Sequence, residues 1–236
     1  MRSSPSATDP LDPGPLGFAH RGLHSGPRVP ENSNRAFAAA LELGCGIECD
    51  LRLTADGEVL VFHDPDARRM CASPLVIGCS TASELAQLRV GEQRIPTLAS
   101  LLKLVDGRVP LLLEVKVDGE PSRWIPVLQQ ALAAYRGLFG IMSFDPRLVS
   151  LLKSDLPQVR RGLVIAAELP PSCRASFLAL ACPQFLAVEH AIACDQWIAE
   201  AGSNLPAYGW TVQTPEQRQG LADCVDALIW EGDGRP

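Results

Sequence analysis

Short apolar segments alternate with amphipathic segments along almost the whole chain, and this alternation constrains the fold more than any other feature. From residue 16 onward, the apolar segments have the length and flanking turn residues of β-strands. The segments between them carry apolar residues at helical spacing. Strands separated by helices pair in parallel, which predicts a parallel sheet covered by helices. The predicted strands are Leu16–Ala19, Gly46–Leu53, Val59–Phe62, Leu111–Val115, Gly140–Ser143, Gly162–Ile165, Phe185–Val188, Ala207–Thr211 and Ala227–Trp230. The predicted helices are Asn32–Leu43, Leu98–Val105, Ser122–Tyr135, Arg147–Ser154 and Thr214–Leu221.

One of these strands does not fit a parallel sheet. The five residues between the second and third strands contain Asp56-Gly57, which is typical of a tight hairpin turn. So short a connection joins antiparallel neighbours, whereas a parallel crossover needs about a dozen residues. We interpret Val59–Phe62 as an extra strand that folds back beside strand two. The other eight strands predict a (β/α)₈ TIM barrel, with residues 64–97 as a short excursion after strand two.

The length of the chain fits a single barrel. A (β/α)₈ barrel takes about 250 residues, and this chain has 236, of which 47% are hydrophobic. We find no internal repeat and no linker that would separate two domains. The first residues are rich in Pro, Ser and Asp, so we predict a disordered arm over 1–15 and one barrel domain over 16–236.

Charge and hydropathy disfavour several classes of partner. The formal net charge is −6 and the pI about 5.2, which argues against general attraction to nucleic acid or to an anionic membrane. No segment approaches the roughly 18–20 apolar residues of a membrane span, and the first residues lack the apolar core of a secretory signal. We therefore predict a cytoplasmic protein without a nucleic-acid partner or stable membrane insertion. The sequence leaves the oligomeric state open.

The eight cysteines do not form a recognisable pattern. They are scattered along the chain, without a CxxC pair. Thiols in a protein without a secretory signal are mostly reduced. We predict reduced, mostly buried cysteines that pack as small apolar residues.

Charged residues at the predicted strand ends mark a candidate site. The carboxyl ends of parallel barrel strands meet at one face, and residues two apart on a strand point the same way. Taken singly, each such residue has an ordinary structural explanation, but their repetition on neighbouring strands favours a site. The residues expected to converge are His20, Arg21, Glu48, Asp50, His63, Glu114 and Lys116.

Three of these residues are carboxylates, and together they call for a cation. Glu114 lies in the run Leu-Leu-Leu-Glu-Val-Lys, where burying a charge is costly unless a cation compensates it. Glu48 and Asp50 would also repel Glu114 and each other. Ligation by oxygen alone favours Mg²⁺ or Ca²⁺ over zinc. We therefore predict one divalent cation, Mg²⁺ or Ca²⁺.

The ordered set of motifs resembles the glycerophosphodiester phosphodiesterase family. The resemblance extends from about residue 16 to residue 230, and the complete set in this order is far more specific than any single motif. The motifs are FAHRG at 18–22, PENS at 30–33, ECDLRLTADG at 48–57, HD at 63–64, IPTL at 95–98, EVK at 114–116 and WTV at 210–212.

The resemblance implies metal-dependent hydrolysis of glycerophosphodiesters to glycerol 3-phosphate and an alcohol. In the mechanism it implies, the metal-bound glycerol 2-hydroxyl attacks phosphorus, and water then opens the cyclic phosphate. One histidine takes the proton of the hydroxyl and the other protonates the leaving alcohol. The matching residues are Glu48, Asp50 and Glu114 for the metal, His20 and His63 for acid/base catalysis, and Arg21 and Lys116 for the phosphate.

The sequence departs from the family at one strand end and leaves alternatives open elsewhere. The last strand ends in Trp230-Glu231, where the family usually has Thr-Asp, so the function of this position is open.

We interpret Glu31 and Asn32 as residues that start the first helix, with support of the metal shell as the alternative for Glu31. Trp210 is interpreted as an aromatic wall, with a core position as the alternative. Alternative functions are a lysophospholipase D, a phospholipase C-like cyclising enzyme, or an inactive phosphoester-binding protein.

Overall fold

A computed structural model describes residues 11–201 and 205–236 of the chain. Its strands are β1 (Phe18–Ala19), β2 (Gly46–Leu53), β3 (Val59–Val61), β4 (Arg89–Val90), β5 (Gln93–Arg94), β6 (Leu111–Val115), β7 (Phe139–Ser143), β8 (Arg160–Ile165), β9 (Phe185–Glu189), β10 (Ala207–Val212) and β11 (Ala227–Trp230). Its helices are α1 (Asn34–Leu43), α2 (Arg68–Cys71), α3 (Ala82–Leu85), α4 (Leu98–Val105), α5 (Trp124–Leu132), α6 (Pro146–Asp155), α7 (Pro171–Ala181), α8 (Gln196–Ala201) and α9 (Pro215–Leu221).

Eight of the strands close into a parallel barrel, as the sequence predicted. Their order is β1-β2-β6-β7-β8-β9-β10-β11, and β11 pairs again with β1. The extra strand β3 pairs antiparallel with β2, with Leu51 opposite Val61, so the predicted fold-back is also confirmed. Because β1 and β11 close the barrel, residues near the two ends of the chain become neighbours.

Local capping sets where several helices begin. Ser33 accepts a hydrogen bond from the amide of Ala36 at the start of α1, and Thr97 accepts one from Ser100 at the start of α4. These side chains satisfy amides that have no partner within the helix. Helix α1 therefore begins after Ser33 and not at the predicted Asn32, and this releases Asn32 for another contact.

The apolar residues divide into two layers according to the face of each strand. Residues that alternate along β2 and β6, such as Ile47 and Leu113, pack outward against the helices. Leu112, Phe185 and Tyr208 point inward and fill the barrel interior. A side chain on Gly162 would collide with the ring of Phe185, so the position of this ring depends on a glycine in β8. The filled interior leaves only the mouth available for polar groups.

The excursion after β3 has a small apolar core of its own. It contains α2, α3 and the antiparallel pair β4–β5, and its buried residues pack against β3 through Leu60. The sequence identified no strand here and no helix at α7 or α8. Strands of two residues are too short for a periodic pattern. Helix α7 presents few buried residues, so its sequence lacks a clear apolar face.

The segment that precedes β1 contributes to the barrel interior. Residues 1–10 of the predicted arm lie outside the described residues, whereas Leu11 is 1% exposed and packs with Phe18 among the inward-facing residues. The segment 11–15 therefore contacts the barrel. Within the described part of the chain, no helix combines the length and apolar character that crossing a membrane requires.

The prediction that all cysteines are reduced is wrong for one pair. Cys194 and Cys224 form a disulfide that joins the segment before α8 to the segment after α9. The two residues are 30 positions apart and are brought together by the packing of neighbouring β/α units, which their spacing does not reveal. Cys45 and Cys49 are free and buried, as predicted. The other free cysteines are not fully buried, so the prediction of mostly buried thiols is wrong for them: Cys71, Cys173 and Cys182 are partly exposed and Cys79 is exposed.

Candidate active site

The register of β2 against β6 places three carboxylates together at the mouth of the barrel. Asp50 pairs directly with Glu114, and Glu48 lies one inward-facing position before Asp50 on the same strand. All three side chains are on the same face of their strands as the inward-facing Leu112, which pairs with Glu48. Their carboxylate oxygens approach within 4.8 Å of one another. Glu48 and Asp50 are 1% exposed and Glu114 is 7% exposed, so the cluster is withdrawn from solvent.

Two cations and an amide surround this cluster. Lys116 Nζ lies 3.0 Å from Asp50 Oδ1 and also contacts Glu114. Arg21 Nε lies 3.2 Å from Asp50 Oδ2, and the Arg21 backbone amide donates to Glu48 Oε2 at 3.0 Å. The predicted phosphate-binding residues thus lie directly beside the predicted metal ligands.

The carboxylates differ in how well their charges are balanced. Burial alone would raise the pKa of Asp50, but the charges of Lys116 and Arg21 outweigh it and hold this pKa well below its usual value. Burial and the neighbouring charges of Asp50 and Glu114 raise the pKa of Glu48 well above its usual value. Two protein cations therefore face three carboxyl groups, and a further cation would be needed to keep all three ionised.

The residues fit a divalent hard cation. Glu48 Oε1 is buried and has no hydrogen-bond partner among the described residues. A buried carboxylate oxygen without a donor is costly, and a bound ion would supply the missing partner. Three carboxylates converging from two strands provide the oxygen ligands that Mg²⁺ and Ca²⁺ prefer.

His20 is oriented by a carboxylate from the last strand. Ala19 pairs with Trp230 across the barrel closure, so His20 lies opposite Glu231. His20 Nδ1 donates to Glu231 Oε2 at 2.8 Å, and the opposite ring nitrogen, Nε2, lies 4.0 Å from Glu48 Oε2. Glu231 also accepts from His24 Nε2 at 3.2 Å and from Gln213 at 2.6 Å. Hydrogen bonds from His20 and His24 lower the pKa of Glu231 far below its usual value, so it is an ionised acceptor.

His63 is oriented in the same manner by its neighbour in the chain. Its Nδ1 donates to Asp64 Oδ1 at 2.8 Å. Burial lowers the pKa of His63 below its usual value, although the charge of Asp50 acts in the opposite direction. The lowered pKa favours the neutral ring near neutral pH. With Nδ1 engaged by a carboxylate in each case, both histidines keep Nε2 as the nitrogen available for proton transfer.

Ion pairs connect this part of the mouth to helix α2. Arg69 of α2 donates to both Asp64 and Glu31, and Glu31 accepts in turn from Arg21 at 2.9 Å. The hydrogen bonds from Arg69, with the help of His63, hold the pKa of Asp64 at about 2. The excursion therefore fixes residues on both sides of the mouth.

Two site residues adopt a backbone conformation that is unfavourable for side chains. Arg21 and Asn32 have φ values of 55° and 52°. Such strain is tolerated where surrounding contacts compensate it, and it is common in functional sites. Here Asn32 Nδ2 donates to Asp50 Oδ2 at 2.8 Å, and Gly22 follows Arg21 with φ of 78°. A side chain at Gly22 would collide with Phe37 of α1 at 2.9 Å, which accounts for the glycine in the His-Arg-Gly motif.

An aromatic pair forms another side of the mouth. Trp210 at the end of β10 packs edge-on against Phe144, with ring centroids 5.6 Å apart. Lys116 Nζ lies 5.5 Å from the centre of the Phe144 ring. Trp210 is only partly buried. It packs against the residues of the barrel interior and, through Phe144, also lines the mouth, so it combines the core position and the aromatic wall predicted for it.

The structure thus brings the seven predicted site residues to one mouth, and it adds others that sequence reasoning missed. Glu31 and Asn32 were interpreted chiefly as helix-start residues, yet both contact charged groups of the site. Glu231 was noted only as a departure from the family pattern. Its position at the end of the last barrel strand was the available signal, because strand ends line the active face. His24 and Arg69 carried no such signal.

The chain is similar to known proteins over almost its whole length. A sequence profile described as the "Glycerophosphoryl diester phosphodiesterase family" matches residues 20–230. A glycerophosphodiester phosphodiesterase of Caldanaerobacter subterraneus is 35% identical over 169 residues, which cover 65% of this chain and 68% of that protein.

Two solved structures show the same fold. A glycerophosphodiester phosphodiesterase from Thermotoga maritima has a TM-score of 0.74 at 25% identity, covering 91% of this chain and 94% of that one. A phosphodiesterase from Oleispira antarctica, solved in complex with the product sn-glycerol 3-phosphate, has a TM-score of 0.81 at 22% identity, covering 92% of each chain.

Proposed function

Because the chain belongs to the glycerophosphoryl diester phosphodiesterase family and is an enzyme of that class, we propose that it hydrolyses glycerophosphodiesters to glycerol 3-phosphate and an alcohol with one divalent cation and two histidines. One observation carries this proposal. Two histidines, each anchored through Nδ1 by a carboxylate, lie at the same barrel mouth as three clustered carboxylates. This combination would supply an acid, a base and a cation site at one barrel mouth.

Glu48, Asp50 and Glu114 would hold the cation. A bound Mg²⁺ or Ca²⁺ would act as a Lewis acid and stabilise the negative charge that develops on the phosphoryl oxygens. The unpartnered Glu48 Oε1 and the raised pKa of Glu48 both support this assignment. Asn32 would orient Asp50 from outside the ligand set, since it both donates to the carboxylate and accepts from the Asp50 amide at 3.3 Å.

The histidines would move the protons. In the first step, the glycerol 2-hydroxyl attacks phosphorus, one imidazole Nε2 accepts the hydroxyl proton, and the other imidazolium donates a proton to the departing alcohol oxygen. In the second step, water opens the cyclic phosphate while the two rings exchange roles. Both rings are oriented for this cycle because Glu231 and Asp64 accept from Nδ1 and leave Nε2 for the transferred proton.

Arg21 and Lys116 would bind the phosphate. Both side chains are largely buried and lie within 3.2 Å of Asp50, so their charges are held at the centre of the mouth. The guanidinium of Arg21 can contact two phosphoryl oxygens in parallel, whereas Lys116 supplies a single compact charge. The aromatic pair Phe144–Trp210 beside Lys116 offers an apolar surface for the carbon atoms of the glycerol.

Product analysis tests the proposal. The protein is incubated with glycerophosphocholine, glycerophosphoethanolamine and glycerophosphoinositol, with EDTA or with added Mg²⁺ or Ca²⁺. We expect glycerol 3-phosphate and the free alcohol, formed only when the cation is present. Release of glycerol together with a phosphorylated alcohol would contradict the assignment. Faster turnover of lysophosphatidylcholine would favour a lysophospholipase D instead.

A further inference from the structure

A second group of potential metal ligands lies at the rim of the same mouth. Glu231 Oε2 is 2.8 Å from His20 Nδ1 and 3.2 Å from His24 Nε2, and the ligand atoms of all three residues lie within 4.8 Å of one another. Their side chains are 15–24% exposed, so the group is reachable from solvent. None of these residues is among the ligands proposed above for the hard cation.

Contacts outside the carboxylate cluster position Glu231 and the turn that carries His24. Glu231 is fixed by its backbone amide, which donates to Val212, and by Gln213, which donates to its outer oxygen. The turn that carries His24 is fixed by its amide, which donates to Gly22. In metal sites, residues that do not bind the ion commonly orient a ligand carboxylate by a hydrogen bond, as Gln213 does here for Glu231.

The ligand set differs in chemistry from that of the first site. Two imidazole nitrogens and one carboxylate are a set that Zn²⁺ accepts, with a fourth position left for water, whereas Mg²⁺ and Ca²⁺ prefer oxygen. Ligands about 2.0–2.2 Å from a tetrahedral ion lie roughly 3.3 Å apart. The observed nitrogen–oxygen separations of 2.8 and 3.2 Å need only small adjustments to reach this geometry.

We propose that His20, His24 and Glu231 form an inhibitory site for Zn²⁺ or a similar nitrogen-preferring transition ion. His20 Nδ1 and His24 Nε2 both donate to Glu231 in the structure, so on binding each ring gives up this proton, takes one from solvent on its other nitrogen, and offers the freed lone pair to the ion. The neutral His20 ring then carries its single proton on Nε2, so it can no longer accept a proton from substrate. The inhibition rests on the proposed function of His20, whereas the binding of the ion does not.

Binding is measured first, on the untagged full-length protein with excess Mg²⁺. Calorimetry with Zn²⁺ and absorption spectroscopy with Co²⁺ should show one ion per chain. His24→Gln should weaken this binding by at least about 100-fold, since loss of a residue that merely supports a ligand already costs about 10–100-fold. The matched control is His190→Gln, because His190 lies beyond β9 and contacts Gln217. It should bind Zn²⁺ like the unmodified protein.

Inhibition is measured second, with the same proteins. Zn²⁺ should inhibit the unmodified enzyme and the His190→Gln variant, and His24→Gln should resist it. Equal Zn²⁺ affinity in His24→Gln, or a thiolate charge-transfer band with Co²⁺, would overturn the site. If Zn²⁺ binds tightly and its binding depends on His24, but the enzyme is not inhibited, the inhibitory function is overturned and the metal site is supported. The Co²⁺ spectrum tests the site even if glycerophosphodiesters prove not to be substrates.

Discussion

Glu231→Gln provides a sharp test of how His20 is oriented. In the structure, Gln213 Nε2 donates to Glu231 Oε1, while Oε2 accepts from His20 Nδ1. A glutamine at 231 has one acceptor oxygen and one NH₂ group with two N–H donors. If its carbonyl keeps the hydrogen bond from Gln213, its NH₂ group takes the place of Oε2, faces both His20 and His24, and donates to His20 Nδ1. The proton of the neutral imidazole is then forced onto Nε2, and the ring cannot act as a base.

The expected loss follows from this reversal. In serine proteases, a catalytic histidine that is held in the wrong tautomer lowers kcat by about 10⁴-fold. His20 is partly exposed and can escape by rotation, so we expect a loss of about 10²–10⁴-fold in kcat. KM should change little, because Glu231 is not assigned a contact with substrate.

A second substitution should restore the orientation. In Glu231→Gln/Gln213→Glu, the new carboxylate at 213 accepts from the NH₂ group of the glutamine introduced at 231, and the carbonyl of that glutamine turns back toward His20. Only the charge assistance of the original hydrogen bond is then missing, about 1 kcal/mol or roughly 5–10-fold in rate. The double variant should therefore be at least about 10-fold faster than the single variant.

Steady-state kinetics on glycerophosphocholine measures both effects, with Glu216→Gln as control for the loss of one exposed carboxylate nearby. Circular dichroism verifies that each variant is folded. The reasoning is refuted if Glu231→Gln keeps kcat within about twofold of the unmodified enzyme, or if the double variant is no faster than the single one.

Three further predictions concern the other parts of the site. His63→Ala should lose about 10²–10⁴-fold in kcat with unchanged calorimetric affinity for the cation, and near-normal turnover would remove His63 from the mechanism. Asp50→Asn should lose most of its affinity for Mg²⁺ and Ca²⁺ in calorimetry, and unchanged affinity would refute the assigned ligand set. Asp64 has a pKa of about 2 in the folded protein and about 3.9 when unfolded, so its stabilising effect is present above about pH 4 and lost as the pH falls through about 2. Asp64→Asn should lower the free energy of unfolding by about 1 kcal/mol near pH 6, allowing for solvent screening, and the deficit should vanish below about pH 2. A deficit that stays constant over this pH range in urea titrations would contradict the assigned ion pair.

Much of the barrel could be predicted from the sequence, because its signals are local. The strand β2 is recognisable from Gly46 to Leu53, since its apolar residues alternate with charged ones over eight positions. The fold-back of β3 follows from a turn of a few residues around Gly57. Periodicity and turn chemistry act over short distances, so a single sequence reveals them. The convergence of Glu48, Asp50 and Glu114 follows from them as well, because strand ends in a parallel barrel share one face.

Contacts that depend on barrel closure could be decided only by the tertiary structure. His20 and Glu231 are 211 positions apart and meet because β1 pairs with β11 in one particular register. The disulfide between Cys194 and Cys224 and the contact of Asn32 with Asp50 likewise join separate β/α units. Local patterns carry no information about which side chains of two distant units face each other. The sequence by itself therefore determined the barrel and the seven predicted residues at its mouth, whereas the packing of the closed barrel added the other charged residues and determined which residue orients which.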